Sequence, residues 1–132
     1  KLQDTTLFEW TTDGRFRYMA DTAYYTTSFL LNKKQDKRYV LDLGKLYFTA
    51  SITVNGHHVN NLLWSPYAAD ITNYLQEGTN SITVAVVPSK RNSFILKALK
   101  GDPLYKQFRG MENAVLPGGL VGPVKLVSYD MR

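Results

Sequence analysis

Ala50-Ser51-Ile52-Thr53-Val54-Asn55-Gly56 is the stretch whose reading decides the fold. Apolar Ala50, Ile52 and Val54 alternate with Ser51 and Thr53, so the run has period two and reads as a strand with one face buried and one face of hydroxyls. Asn55-Gly56 supplies two residues that tolerate positive φ, the strongest short-range signal for a tight hairpin. The return strand is expected from His57 to Asn61. Phe48 is expected as the first inward residue of the outgoing strand.

The same period recurs on both sides. Ala23, Tyr25, Thr27, Phe29 and Leu31 alternate with Tyr24, Thr26, Ser28 and Leu30, predicting a strand over 23–31. Tyr24, Tyr25 and Tyr39 are read as strand residues. A second strand is predicted over 39–43, and a later one over 81–87 with Ile82, Val84 and Val86 inward. Pro88 ends that run, because proline cannot donate to a ladder, and Ser65-Pro66 breaks the hairpin's return strand for the same reason. Asp70 to Leu75 fits one helical turn with Asp70 as its cap and Gly78 as its stop. Phe94 to Leu99 is a short helix candidate, and Gly118, Gly119, Gly122 and Pro123 lead into a last strand over 124–129. Six to eight short strands with almost no helix predict an all-β fold, an antiparallel β-sandwich.

The 132 residues suit one domain, and 44% hydrophobic with 20% charged residues is ordinary for a globular chain. The absence of cysteine excludes disulfides, thiolate metal sites and cysteine nucleophiles. No run is long and apolar enough for a spanning helix. The net charge of +5 is gathered largely in Lys33, Lys34, Lys37 and Arg38 and in Lys90, Arg91, Lys97 and Lys100. That excess is modest and lacks a nucleic-acid motif, so no nucleic-acid partner is expected. Because the chain begins at Lys1, it is read as a mature product or, preferably, a piece of a larger multidomain protein.

The order of short motifs carries a resemblance. Leu41-Asp42-Leu43-Gly44, Ala50 to Gly56, Trp64-Ser65-Pro66-Tyr67, Asp70-Ile71-Thr72 and Gly78-Thr79-Asn80-Ser81-Ile82 follow one another as in the sugar-binding jelly-roll domain of glycoside hydrolase family 2. Tyr18 to Tyr25 and Gly119-Leu120-Val121-Gly122-Pro123-Val124 resemble the flanks of such galactose-binding-like domains in large bacterial glycosidases, α-L-rhamnosidases among them. The resemblance implies a jelly roll appended to catalytic machinery elsewhere, a secreted, periplasmic or cell-surface location, and either carbohydrate or the parent's own catalytic domain as partner. In family 2 β-galactosidases an asparagine near the start of the strand ending in the Asn-Gly turn reaches the sugar. Tyr47 stands at that position here, so that contact does not transfer.

Glycoside hydrolysis needs two facing carboxyl groups. Among the eleven acids of this chain no two stand out as such a pair: Asp36 and Glu77 suit turns, Asp42 and Asp70 suit strand ends and caps. No G-x-S-x-G elbow exists, and His57 and His58, adjacent on a strand, should face opposite ways and share no metal. No catalytic residue and no cofactor is expected. A structural calcium ion is implied only by the fold resemblance, with no ligand spacing to name its ligands. Sugar contact needs aromatic platforms flanked by polar groups. Trp64 and Tyr67, with His58, Asn60 and Asn61 beside them, are the candidate carbohydrate-binding residues; Trp10 is expected to anchor the N-terminal segment. The alternatives are a free-standing lectin-like module and a protein-interaction domain on the same fold.

Overall fold

The computed structural model describes residues 7–131. Its strands are β1 (Ala23–Leu31), β2 (Lys37–Asp42), β3 (Lys45–Tyr47), β4 (Thr49–Val54), β5 (His57–Leu62), β6 (Ala68–Asp70), β7 (Gly78–Val87), β8 (Gly119–Gly122) and β9 (Lys125–Asp130). The described helical elements are one α-helix, α1 (Arg91–Leu99), and short 3₁₀ turns at Trp10–Thr12, Thr72–Tyr74 and Pro103–Phe108, the last kinked at Tyr105. The strands form an antiparallel sheet in the order β1-β7-β4-β5, a second in the order β6-β2-β9, and a ribbon of β3 with β8.

The expected alternation sets the core. Ile52 pairs with Val84 and Ala50 with Val86, so β4 and β7 point one apolar row inward. That row meets Tyr39 and Leu41 of β2, Leu43, Ile71, and Leu46 with Leu120 from the ribbon. Each such aliphatic side chain, fully buried, contributes about 1.5–3 kcal/mol by removal from water.

The hairpin forms as its sequence demands: Asn55 has φ 50° and Gly56 φ 80°. Asn55 also reaches sideways. Its amide donates to the Tyr74 carbonyl (2.9 Å) and to Asn80 Oδ1 (2.8 Å), and its Oδ1 accepts from the Ser81 N–H. Asn80 has 0% exposure, and its carboxamide accepts from Gln76 N–H and donates to the carbonyls of Gln76 and Gly78. Two asparagines thus satisfy the backbone where three elements meet.

Other elements differ from expectation for local reasons. Phe48 has φ +76° and is 39% exposed, so β4 starts at Thr49, and Lys45–Tyr47 becomes a separate strand on β8. The strand predicted over 39–43 ends at Asp42, because Asp42 Oδ1 accepts from the Gly44 N–H and turns the chain. A Cβ at Gly44 would lie 2.6 Å from the Gly122 and Pro123 backbone, which is why glycine stands there. The turn over 72–74 is 3₁₀, and its stop is Leu75; Gly78 instead opens β7. The cap position of that turn falls to Ile71 rather than Asp70; Asp70 ends β6, and its Oδ1 accepts from the Thr72 N–H and hydroxyl. Gly119–Gly122, expected as a turn, is itself a strand, which brings the described strands to nine.

Trp10 anchors the N-terminal segment as expected. It is buried, donates from Nε1 to the Tyr25 hydroxyl at 2.9 Å, and lies so close to Gly119 that a Cβ there would sit 2.3 Å from the indole nitrogen. Glu9 fastens the same corner by accepting from the N–H of Thr11 and of Gly118. Burial pushes the Glu9 carboxyl up, but the Thr11 and Gly118 hydrogen bonds and the Arg17 charge outweigh it and hold it below the ordinary range.

Helix α1 starts three residues earlier than predicted. Asn92, Ile95 and Ala98, at i, i+3 and i+6, form its buried face, and none of the three belongs to the main core cluster. Asn92 clamps the helix to the following segment: its Oδ1 accepts from the Leu116 N–H and its Nδ2 donates to the Leu116 carbonyl, each at 2.7 Å.

Candidate functional site

The hairpin strand β5 is the edge of the four-stranded sheet, and a β-bulge governs what it displays. Ile52 pairs with Asn60 but Thr53 pairs with His58, so Val59 is the extra residue. In a regular strand, residues three apart point to opposite faces. The bulge instead puts His58 and Asn61 on the same outward face, opposite Thr53 and Ser51, where His58 Nε2 and Asn61 Oδ1 lie 2.9 Å apart. His57 pairs with Val54, and its ring stands 6.4 Å from that of Tyr74, so the two adjacent histidines serve different neighbours. Asn60 is exposed and lies opposite Ile52, on the other parity from His58 and Asn61.

Trp64 is 72% exposed in the loop leaving β5. With Asn61, Leu62, Leu63 and Pro66 it lines an open hollow of about 210 Å³. This lies below the roughly 300–1,000 Å³ usual for small-molecule pockets. Tyr67 has a different task. Its side chain is half-buried against the core, its hydroxyl donates to the Phe48 carbonyl at 2.6 Å, and its carbonyl accepts from the Leu43 N–H. Tyr67 is a strut that supports the strained Phe48 backbone.

Trp64 and Asn61 therefore share a hollow with His58 behind Asn61, whereas Tyr67 and Asn60 stand apart. Sequence reading missed Leu63 (58% exposed) and Phe48, which leave the sheet at the same end, next to the Ala50–Leu62 pair. Leu62-Leu63 carried a signal: two consecutive residues of a strand cannot both face inward, so one leucine had to be exposed. Nothing local announces the positive φ of Phe48.

A larger open hollow, about 390 Å³, lies between residues 14–19 and α1 and is lined by Gly14, Arg15, Phe16, Tyr18, Met19 and Leu96. Arg15 is held there by Asp13 at 2.8 Å and lies over the Phe16 ring.

The acids are largely occupied by structure. Glu9 holds Gly118, Asp13 pairs with Arg15, Asp42 binds Gly44, Asp70 binds Thr72 and Arg38, Glu77 accepts from the Lys33 N–H, Asp102 from the Leu104 N–H, and Asp130 pairs with Lys37. Burial raises the Asp70 carboxyl, yet the Thr72 hydrogen bonds and the Arg38 guanidinium outweigh it and depress it. Asp4 lies outside the described residues. Among the described residues no three His, Asp or Glu side chains gather as a metal cluster, and no helix is long and apolar enough to cross a membrane.

Comparison with known proteins extends this geometry. The profile of the family described as glycosyl hydrolase 2 galactose-binding domain-like matches residues 5–112. A curated protein of Formosa agariphila, provisionally named a β-glucuronidase, is 33% identical over 115 residues, which are 83% of this chain and 10% of that protein. The rhamnosidase of Novosphingobium sp. PP1Y superposes with a TM-score of 0.77 at 25% identity, over 89% of this chain and 12% of that one. A β-glucuronidase of an uncultured Clostridium sp. superposes with a TM-score of 0.50 at 32% identity, over 60% of this chain and 14% of that one. The chain thus spans about a tenth of the length of these relatives.

Proposed function

The chain belongs to the glycosyl hydrolase 2 galactose-binding-like domain family, and we propose that it serves as a non-catalytic accessory domain of a longer glycoside hydrolase. Its matched residues make up only 10% and 12% of relatives named as glycosidases, and most of its own acids are committed to caps, turns and ion pairs. The substrate class of the whole protein is then a glycoside, and two relatives named β-glucuronidases bring carboxylate-bearing sugars within that class. A secreted, periplasmic or cell-surface location belongs to the same proposal.

The observation that carries the accessory reading is the dispersal of the candidate sugar contacts. Tyr67 is spent on Phe48, and His58 on Asn61, while the Trp64 hollow is shallow and largely apolar. An exposed apolar end of this kind suits packing against another part of the same longer chain. In the longer protein, Trp64→Ala with Leu63→Ser should lower the temperature of unfolding and speed proteolytic release of this domain. Unchanged release would discard the docking role.

One feature of the surface favours a second reading, direct sugar contact: Trp64 and the Asn61 amide line one hollow. Calorimetry of the chain with neutral mono- and oligosaccharides separates the two. Saturable heat at millimolar sugar, lost in Trp64→Ala, selects the lectin-like role; silence selects docking.

A further inference from the structure

The surplus positive charge of this protein matches that of one segment. Lys90, Arg91, Lys97, Lys100, Lys106 and Arg109 stand against Asp102 alone, a net of +5 within residues 90–109. That equals the net charge of the whole chain, whose remaining residues balance at ten basic against ten acidic. Three of the four cations in the other basic cluster are engaged by the fold: Lys37 pairs with Asp130, Arg38 with Asp70, and Lys33 Nζ donates to the Leu75 carbonyl, while Lys34 is exposed. Among the described residues, no cation of the 90–109 segment enters an ion pair. Lys90, Lys97, Lys100, Lys106 and Arg109 are all exposed.

Helix geometry aligns them. At about 100° per residue, Lys90, Lys97 and Lys100 fall opposite the Asn92–Ile95–Ala98 face, and they span about 15 Å along the axis at about 1.5 Å per residue. Lys106 and Arg109 come from the 3₁₀ segment Pro103–Phe108 and its C-cap, which packs on α1 through Phe94: ring centroids lie 5.2 Å from Tyr105 and 5.7 Å from Phe108. Lys97 lies over the Tyr105 ring at 4.8 Å. The like charges therefore repel across one continuous ridge, and a polyanion laid along it would relieve that repulsion.

We propose that residues 90–109 form a binding surface for an anionic polysaccharide, one bearing carboxylates or sulfates along its chain. The polymer chemistry follows from several exposed cations in a row, which match repeated charges better than a single anion. The three aromatic rings of the segment are half-buried against one another, leaving no free platform on which nucleic-acid bases could stack. The choice of a glycan among polyanions rests on the glycoside hydrolase reading above; the existence of the surface rests on charge and exposure alone, and the Trp64 hollow takes no part in it.

The test is retention of the chain on immobilised heparin and on polygalacturonate at low ionic strength, with dextran, poly-L-glutamate and a single-stranded oligodeoxynucleotide as comparators. Both anionic glycans should bind, dextran should not, and binding should fall steeply with salt. Reversal of Lys97→Glu, Lys100→Glu and Lys106→Glu should weaken glycan binding at least about tenfold without changing the thermal transition, while Lys34→Glu and Lys125→Glu should have little effect. The milder Lys97→Gln, Lys100→Gln, Lys106→Gln set guards against misfolding and should lose binding as well. Preference between heparin and polygalacturonate tells sulfate from carboxylate recognition. Anionic glycans held no better than dextran, or held equally by the reversed chain, would overturn the proposal. Tighter binding of poly-L-glutamate or DNA overturns it in favour of an acidic protein or nucleic acid. None of these results bears on the docking role of Trp64, which its own variants test.

Discussion

Two buried asparagines do parallel work in two regions built on different principles. Asn80, at the head of β7, is sealed in the sandwich, where Asn55, Gln76 and Gly78 use its carboxamide fully. Asn92, in α1, performs the same service for Arg17 and Leu116, but it fastens an appendage whose own apolar contacts are Ile95 and Ala98. The sandwich has a deep core and balanced surface charge. The appendage has a thin core and all of the surplus charge. A long-range network of strands lets one region carry stability, while the other, held by the Asn92 carboxamide and a thin apolar face, is free to vary its surface for a partner.

The widest gap between the regions should appear on core truncation. Ile52→Ala should cost about 2–5 kcal/mol of global stability, read as a lower denaturant midpoint, because Ile52 is fully buried between Val84 and the opposing sheet. A cost below about 1 kcal/mol would mean that β4 is not central to the core. Asn80→Ala should follow, at about 1–3 kcal/mol, since it removes the buried carboxamide that pairs with the Gln76 N–H and the Asn55 amide.

Asn92→Ala sharpens the contrast. It should cost about 1–3 kcal/mol, and the loss should be local: hydrogen exchange of the α1 amides should accelerate while those of β7 stay protected. Equal acceleration in both would merge the two regions into one cooperative unit.

Acid separates them further. Asp70 has a depressed carboxyl in the folded chain, so its contribution is present above its unfolded value and is lost as the pH falls through the folded one. Stability should therefore decline below about pH 4, and Asp70→Asn should flatten that acid limb while lowering stability at neutral pH. Glu9 acts with the same sign at the Trp10 corner. The smallest effect is expected at Trp64→Ala, within about 0.5 kcal/mol for this chain, because the indole is largely exposed.

Much of the sandwich was legible because period-two alternation and turn chemistry are local. Ala23 to Leu31 came out as one strand with Ala23, Tyr25, Phe29 and Leu31 half-buried and Thr27 exposed against expectation, and Asn55-Gly56 turned the hairpin. The edges of elements were less legible. Phe48 continues the apolar alternation of Ala50 and Ile52, yet the strand breaks there because β3 must peel away to pair with β8. The candidate site was legible in composition only. Trp64 is exposed as its loop position implied, but Tyr67 is a strut, and the bulge at Val59 decides which of His58, Asn60 and Asn61 share a face.

What the sequence determined by itself was the class of fold, the Asn55-Gly56 turn and the inward rows of β4 and β7, since these depend on side-chain period and on backbone preferences within a few positions. Tertiary structure alone decided the strand order, the offset of β5 and the partition of charge into a neutralised cluster and an open ridge. Those depend on which distant groups meet: Lys37 and Arg38 find Asp130 and Asp70 only after β9 and β6 flank β2, whereas the cations of residues 90–109 meet no acid at all among the described residues. Pairing over such separations is set by packing of the whole chain, and no local pattern encodes it.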